Sequence, residues 1–223
     1  MVSVIIAAGG KGTRMGADIN KVYLDLLDKE IVMHTALAFE QNENTDEIII
    51  VTGEDDIGNC RSLTKKYNLS KVAAIVTGGQ TRQQSVWNGI SHSKGDIIAI
   101  HDGARALISQ EEINAVIADC KEYGAAALGV KVKDTIKESR DGFISGTVDR
   151  SNLYAIHTPQ VFCREDIIKA HKAAQNSDAT DDCGLAENIG IKIKITEGSY
   201  NNIKITTPED MIMAEAILKG RSI

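Results

Sequence analysis

The chain has 223 residues, 43% of them hydrophobic and 25% charged, with a net charge of −6, so one compact domain with a packed core is expected over residues 1–223. An acidic balance gives no global attraction for nucleic acid, and any polyphosphate ligand would need locally concentrated cations. No apolar run approaches the roughly 18 residues of a membrane span, and the four scattered cysteines, Cys60, Cys120, Cys163 and Cys183, suggest neither a zinc site nor a disulfide framework.

Met1-Val2-Ser3-Val4-Ile5-Ile6 leads directly into an apolar strand without the basic and hydrophobic regions of a signal peptide, so a cytoplasmic protein is the expectation. In chain order, strands are predicted at 4–8, 47–51, 72–76, 96–100, 125–130 and 191–195. Helical patterns fall between them at about 31–41, 54–67, 81–91, 109–123, 164–175 and 180–188. Ser109-Gln110-Glu111-Glu112 reads as a capping box, and Thr207-Pro208-Glu209-Asp210 opens a last helix with proline at its first position. Strands apolar on both faces alternating with helices predict an α/β fold, a Rossmann-like mostly parallel sheet with helices on both faces.

The stretch from about 131 to 155 breaks this rhythm. Asp141-Gly142 between two alternating segments predicts a β-hairpin, charged and poor in apolar residues. A lone two-stranded ribbon is marginal in water, so it should lean on something, such as another subunit.

The first βα turn reads Ala7-Ala8-Gly9-Gly10-Lys11-Gly12-Thr13-Arg14-Met15-Gly16. Glycines after a first strand let backbone N–H groups approach phosphate oxygens. The Gly-Lys-Ser/Thr ending of a Walker A loop is absent, and Met15 stands where a dinucleotide fingerprint needs its third glycine. Lys11, Arg14 and Lys21 distinguish the turn; the plainer reading is a tight turn with solvated cations. His101-Asp102-Gly103-Ala104-Arg105 follows another strand, where open parallel sheets place ligands. Asp102 there could support a Mg²⁺–phosphate complex or bind a polyol hydroxyl, or be a turn residue paired with arginine. Gly78-Gly79-Gln80-Thr81-Arg82-Gln83-Gln84-Ser85 fits a base or phosphate contact and a plain capped loop equally well. Trp87 reads as packing and Lys204 as a surface cation at a strand end. No side-chain nucleophile motif or metal-ligand spacing is present, which suits nucleotidyl transfer, where the acceptor brings its own nucleophile.

The glycine turn, Asn20-Lys21-Val22-Tyr23-Leu24, His-Asp-Gly-Ala-Arg, Val132-Lys133-Asp134-Thr135, Thr147-Val148-Asp149-Arg150, Thr158-Pro159-Gln160, Thr180-Asp181-Asp182 and Asn202-Ile203-Lys204-Ile205-Thr206 occur in this order. Together they resemble the 2-C-methyl-D-erythritol 4-phosphate cytidylyltransferases of the nucleotidyltransferase superfamily, across nearly the whole chain. The resemblance implies in-line attack of the acceptor phosphate on the α-phosphorus of CTP, in the non-mevalonate isoprenoid pathway, with Mg²⁺ held mainly through the CTP phosphates. It implies catalytic roles for Arg14, Lys21 and Lys204. Ala7, Ala8, Gly9, Gly10, Lys11, Gly12, Gly79, Ser85 and Gly103 would then hold the nucleotide. Asp102, Arg105, Thr135, Arg150 and Lys204 would hold the acceptor. It further implies a homodimer in which the hairpin arm crosses to the neighbour, carrying Arg150 to the other subunit's site. Ribitol 5-phosphate cytidylyltransferase shares fold and chemistry and is the nearest alternative; an NAD-dependent oxidoreductase fits less, because of Met15. The chain departs from the family pattern at Asn20 and Ala106, where proline is usual, and at Val22, where glutamine is. Losing both prolines is expected to loosen the backbone there.

Overall fold

The computed structural model describes residues 1–10, 20–174 and 180–221. Its centre is a seven-stranded sheet in the order β11-β7-β10-β6-β1-β4-β5. The strands are β1 (Val2–Ala7), β4 (Glu47–Thr52), β5 (Val72–Thr77), β6 (Ile97–Asp102), β7 (Ala125–Lys131), β10 (Tyr154–Cys163) and β11 (Lys194–Glu197). Two-residue strands β2 (Asp25–Leu26) and β3 (Lys29–Glu30) pair separately. The helices are α1 (Ile31–Glu40), α2 (Ile57–Lys66), α3 (Arg82–His92), α4 (Gln110–Tyr123), α5 (Arg164–Ala173), α6 (Asp182–Glu187) and α7 (Pro208–Arg221).

Alternation along the strands divides the core in two. Val4, Ile6, Ile48 and Ile50 face a cluster containing Met33 and Phe39 of α1, Leu63 of α2 and Val116 of α4. Ile5, Ile49, Val51 and Ile98 face Val86 of α3, Ile167 of α5 and Leu185 of α6. A two-residue period with both faces covered is what buried parallel strands require. The helix starts follow their signals: Ser109 and Glu112 form the capping box of α4, and Thr81 caps α3 by accepting from Gln84 N.

Three expectations need correction. No strand is expected between the arm at about 131–155 and residue 191, but β10 lies there, a ten-residue strand inserted antiparallel between β6 and β7 that begins at the end of that arm. Tyr154 and Ala155, assigned to the arm, already pair with Lys131 and Val130. The register of β10 against β7 shifts between Ile156 and Gln160, around the cis Thr158–Pro159 peptide. Proline and a polar flank hid this strand from a pattern search. Second, the last strand begins at Lys194 rather than 191; Ile191 and Ile193 pack against the second core cluster ahead of it. Third, Lys204 lies in a segment without regular structure instead of at a strand end.

The hairpin itself is present. β8 (Lys137–Arg140) and β9 (Phe143–Thr147) pair around Asp141 and Gly142, both with positive φ, forming a separate two-stranded sheet. A glycine tolerates that backbone freely, and an aspartate more readily than most residues.

Candidate active site

Parallel pairing of β1 with β4 and β6 brings their carboxyl ends together, with Ala7 opposite Asp102 and next to Val51. Ala8 N donates to the Val51 carbonyl and Gly103 N to the Ala7 carbonyl, so the turns after β1 and β6 are stitched to one another. A Cβ at position 103 would lie 3.1 Å from the Ala7 oxygen and 3.3 Å from Ala8 Cβ, which explains glycine at this approach. Gly9 and Gly10 are exposed at the mouth. Lys11, Gly12 and Arg14 lie outside the described residues.

Asn20 is itself tied to its neighbours. Its side-chain amide donates to the Ala8 carbonyl at 2.8 Å and to Asp56 Oδ2 at 3.1 Å, and its oxygen accepts from Val22 N, capping the helical turn Lys21–Tyr23. Proline could make none of these bonds. Val22 and Tyr23 are buried beneath the turn, and the Tyr23 hydroxyl lies 2.7 Å from Thr52 Oγ1, while Lys21 is half-buried. Ala106, the other departure, is buried with Leu107 and Ile205 in a small cluster below α7.

The loop after β5 is organised internally. Gly79 N donates to Ser85 Oγ at 3.0 Å, and the same hydroxyl donates to the Thr81 carbonyl at 2.9 Å. A Cβ on residue 79 would fall 2.3 Å from Gln84 Cβ, so only glycine fits. The structure therefore joins Gly79 and Ser85 to each other, with Ser85 holding the loop's shape.

Asp102 is the centre of charge. Lys204 Nζ lies 2.9 Å from its Oδ2, Arg105 Nε lies 3.6 Å from Oδ2, and Arg82 Nε lies 3.8 Å from Oδ1. Burial opposes ionisation of this carboxyl, but Lys204, Arg82 and Arg105 outweigh it and hold its pKa below the ordinary value. The segment carrying Lys204 is fixed at both ends: Ile205 N donates to the Ala104 carbonyl, and Arg105 Nη1 to the Asn202 carbonyl at 2.6 Å. Asn202 Nδ2 in turn donates to the Thr158 carbonyl on β10. Buried Arg105 Nε and Asn202 Oδ1 make no hydrogen bond among the described residues, leaving polar capacity beside Asp102. Thr135 and Arg150 are not brought to this cluster. Both are exposed at the root of the hairpin, where the Arg150 guanidinium donates to the Lys133 carbonyl.

Sequence reasoning gave no role to His101, Thr158, Gln160, Arg82 or Asp182, although each lies in a motif it quoted. Thr158 Oγ1 accepts from Asp102 N at 3.0 Å and sits 3.1 Å from His101 Nδ1, while His101 Nε2 is 3.1 Å from the Arg105 carbonyl. A carbonyl can only accept, so Nε2 carries the proton and Nδ1 accepts from Thr158. Burial pushes the pKa of this histidine down to about 4, and burial together with Arg105 does the same to His157. The unfolded chain takes up these protons near pH 6.5 and the native state only near 4. Stability is therefore expected to fall as pH drops from about 6.5 to about 4, the window in which the unfolded state binds more protons. Urea unfolding midpoints across this range check it. His101→Gln should flatten the dependence, and an unaltered slope in that variant would remove His101 as its source.

Among the described residues no group of three or more His, Cys, Asp or Glu is arranged to hold a metal ion, and no helix is long and apolar enough to cross a membrane. Among the described residues, neither a groove of about 950 Å³ beside edge strand β5 nor a cleft of about 380 Å³ near Lys29 and Arg221 is lined by residues 7–10 or Asp102.

The first turn and the cation-ringed Asp102 meet at the carboxyl ends of the central strands, and the family match places the chain among the nucleotidyltransferases. The chain belongs to the 2-C-methyl-D-erythritol 4-phosphate cytidylyltransferase family, whose model matches residues 2–220. It is 45% identical to the 2-C-methyl-D-erythritol 4-phosphate cytidylyltransferase of Desulforamulus reducens, covering 99% of this chain and 97% of that one. It is 47% identical to the enzyme of the same name from Clostridium novyi, over 97% and 96% of the two chains. Among solved structures, 4-diphosphocytidyl-2C-methyl-D-erythritol synthase from Anaerococcus prevotii superposes with a TM-score of 0.85 at 30% identity, covering 98% of both chains.

Proposed function

We propose that the protein transfers the cytidylyl group of CTP to 2-C-methyl-D-erythritol 4-phosphate, giving 4-diphosphocytidyl-2-C-methyl-D-erythritol and pyrophosphate. The observation that carries this reading is the meeting of Asp102 with Lys204, Arg105 and Arg82 beside the first turn. A polyol phosphate needs both parts of that cluster: a carboxylate that accepts from hydroxyls, and cations for the phosphate. The acceptor phosphate oxygen attacks the α-phosphorus of CTP, forming the new P–O bond as the bond to pyrophosphate breaks. No protein nucleophile is required.

The backbone of Ala7, Ala8, Gly9 and Gly10, with Lys11 and Gly12, receives the triphosphate, and Gly79, Ser85 and Gly103 shape the walls around the cytidine. Arg14 and Lys21 serve the charge that builds on the α-phosphoryl group, where cationic donors act most strongly. Lys204 directs the acceptor phosphate, and Asp102 and Arg105 hold its hydroxyls. Asp102 is already compensated by three cations and offers no multi-carboxylate cage, a donor set that fits Mg²⁺ held chiefly by the CTP phosphate oxygens. Bound there, the ion would neutralise phosphate charge. Because CTP is a cytoplasmic metabolite, the reaction is placed in the cytoplasm.

The arm supports a homodimer. Phe143 and Ile144 at its tip are 78% and 71% exposed on an otherwise polar ribbon, and a hairpin of this size needs a surface to rest on. Thr135 and Arg150 at its root then complete the partner's acceptor site.

A pyrophosphate-release assay tests the substrates. CTP with methylerythritol phosphate and Mg²⁺ should support turnover, with ATP, GTP and ribitol 5-phosphate poor. A tenfold preference for ribitol 5-phosphate in kcat/KM would overturn the acceptor assignment. That difference is only about 1.4 kcal/mol, within reach of one hydroxyl contact.

A further inference from the structure

Arg82 is the first residue of α3, where a positive charge opposes the helix dipole. Its guanidinium answers two carboxylates instead: Nη1 lies 2.7 Å from Asp182 Oδ2, and Nε lies 3.8 Å from Asp102 Oδ1. Burial disfavours its charge, yet Asp182 and Asp102 more than offset that and raise its pKa. Asp182 is fully buried and held from three sides. His171 Nε2 lies 3.3 Å from its Oδ1, its N–H donates to Gln160 Oε1, and it opens α6, whose cap Asp181 accepts from Gly184 N. Trp87, also on α3, stacks on the His171 ring with centroids 5.9 Å apart, adding an apolar contact to the ion pair between α3 and this region.

The geometry at Asp102 gives this anchor a use. Lys204 and Arg105 both address Oδ2 and would leave the carboxylate free to turn about one oxygen. Arg82 addresses the other oxygen, Oδ1, at 3.8 Å, beyond hydrogen-bond range but close enough for a strong field. Each carboxylate oxygen thus faces a cation, a field that favours one orientation of the group, while Oδ1 keeps its capacity to accept a hydroxyl hydrogen.

We propose that Arg82 is a positioning residue for the acceptor: it orients the Asp102 carboxylate toward a polyol hydroxyl, with Asp182 as its fixed support. This rests on the reading that Asp102 meets the polyol. A purely structural reading, an ion pair pinning α3 to α6, predicts lost stability without a change in acceptor recognition.

The test is steady-state kinetics on the full chain, varying CTP and methylerythritol phosphate separately, for Arg82→Ala, Arg82→Lys, Asp102→Asn and the Arg82→Ala/Asp102→Asn double variant. Arg82→Ala should raise the acceptor KM about tenfold with the CTP KM within about twofold, the latter also showing that the fold persists. Arg82→Lys should recover part of the loss, keeping charge but not the two-ended reach. On the Asp102→Asn background, Arg82→Ala should add less than about a twofold further change, because residues acting through one another are not additive. Equal tenfold effects in both backgrounds, a rise in the CTP KM alone, or a lower melting temperature with unchanged kinetics would each overturn the proposal. If Asp102→Asn raised the acceptor KM and Arg82→Ala did not, only the role of Arg82 would fall. An unchanged acceptor KM in Asp102→Asn would bring down the placement of the polyol, and this proposal with it.

Discussion

Replacing Lys21 by alanine is expected to lower kcat by roughly 10²–10³ and to leave the KM for CTP nearly unchanged, the usual loss for a donor serving transition-state charge. The backbone at this position is held from several directions. Asn20 ties the preceding residue to the Ala8 carbonyl and to Asp56, and Val22 and Tyr23 are buried just after it. A lysine on such a turn delivers its charge to a fixed place, so little reorganisation is needed as the reaction proceeds. Mutating the support tests this separately: Asn20→Ala should lower kcat in the same direction but less, since it frees the turn without removing the ammonium. Arg14→Ala should behave like Lys21→Ala, and Arg14→Lys should restore it only in part, because lysine lacks the planar fork. The measurement is initial-rate kinetics in pyrophosphate release. Near-normal kcat in Lys21→Ala with only KM raised would make the residue a ground-state binding group and overturn its catalytic role.

The sheet was legible because burial on both faces writes a simple code. β-branched runs such as Glu47-Ile48-Ile49-Ile50-Val51, short and alternating with helical patterns, favour a strand covered on both faces, and β4 appears within one residue of the prediction. β10 was not legible, since its half near Ala155 is exposed, its middle carries Thr158-Pro159, and only Val161 and Phe162 look like a core strand. Antiparallel insertion is a property of the whole sheet that no local pattern records. The site divides along the same line. Glycines at 79 and 103 announce themselves because a Cβ would crowd its neighbours, falling 2.3 Å from Gln84 Cβ at position 79 and 3.1 Å from the Ala7 oxygen at position 103. Lys204, read as a surface cation, becomes a partner of Asp102 through contacts between residues about a hundred positions apart. Arg82 and Asp182 were quoted in motifs without a role, because an ion pair between distant segments has no signature in either. At position 20 the sequence shows only a proline lost; the hydrogen bonds that Asn20 makes in its place are visible only once Ala8 and Asp56 stand beside it.

Mixing two inactive variants is expected to regenerate activity if the arm crosses between subunits. Each active site is proposed to combine Lys21 of one protomer with Arg150 of the other, so the Lys21→Ala and Arg150→Ala homodimers should both be nearly inactive. In the structure Arg150 sits exposed at the root of a ribbon with an uncovered apolar tip, and it is not among the ion partners of Asp102. A second subunit would cover that tip and give Arg150 a phosphate to meet. Unfolded together and refolded as an equal mixture, the two variants should pair at random, so that about half of the dimers are mixed. In a mixed symmetric dimer one site then receives both defects and the other receives neither. Activity should recover to roughly a quarter of wild type per total site. If Lys21 and Arg150 served the same site from the same chain, every site in every dimer would carry one defect and mixing would restore nothing. Native mass spectrometry establishes that mixed dimers have formed. With those present, an absence of recovery would place Arg150 in its own subunit's site or outside the reaction, and the arm would be left as a contact without a catalytic part.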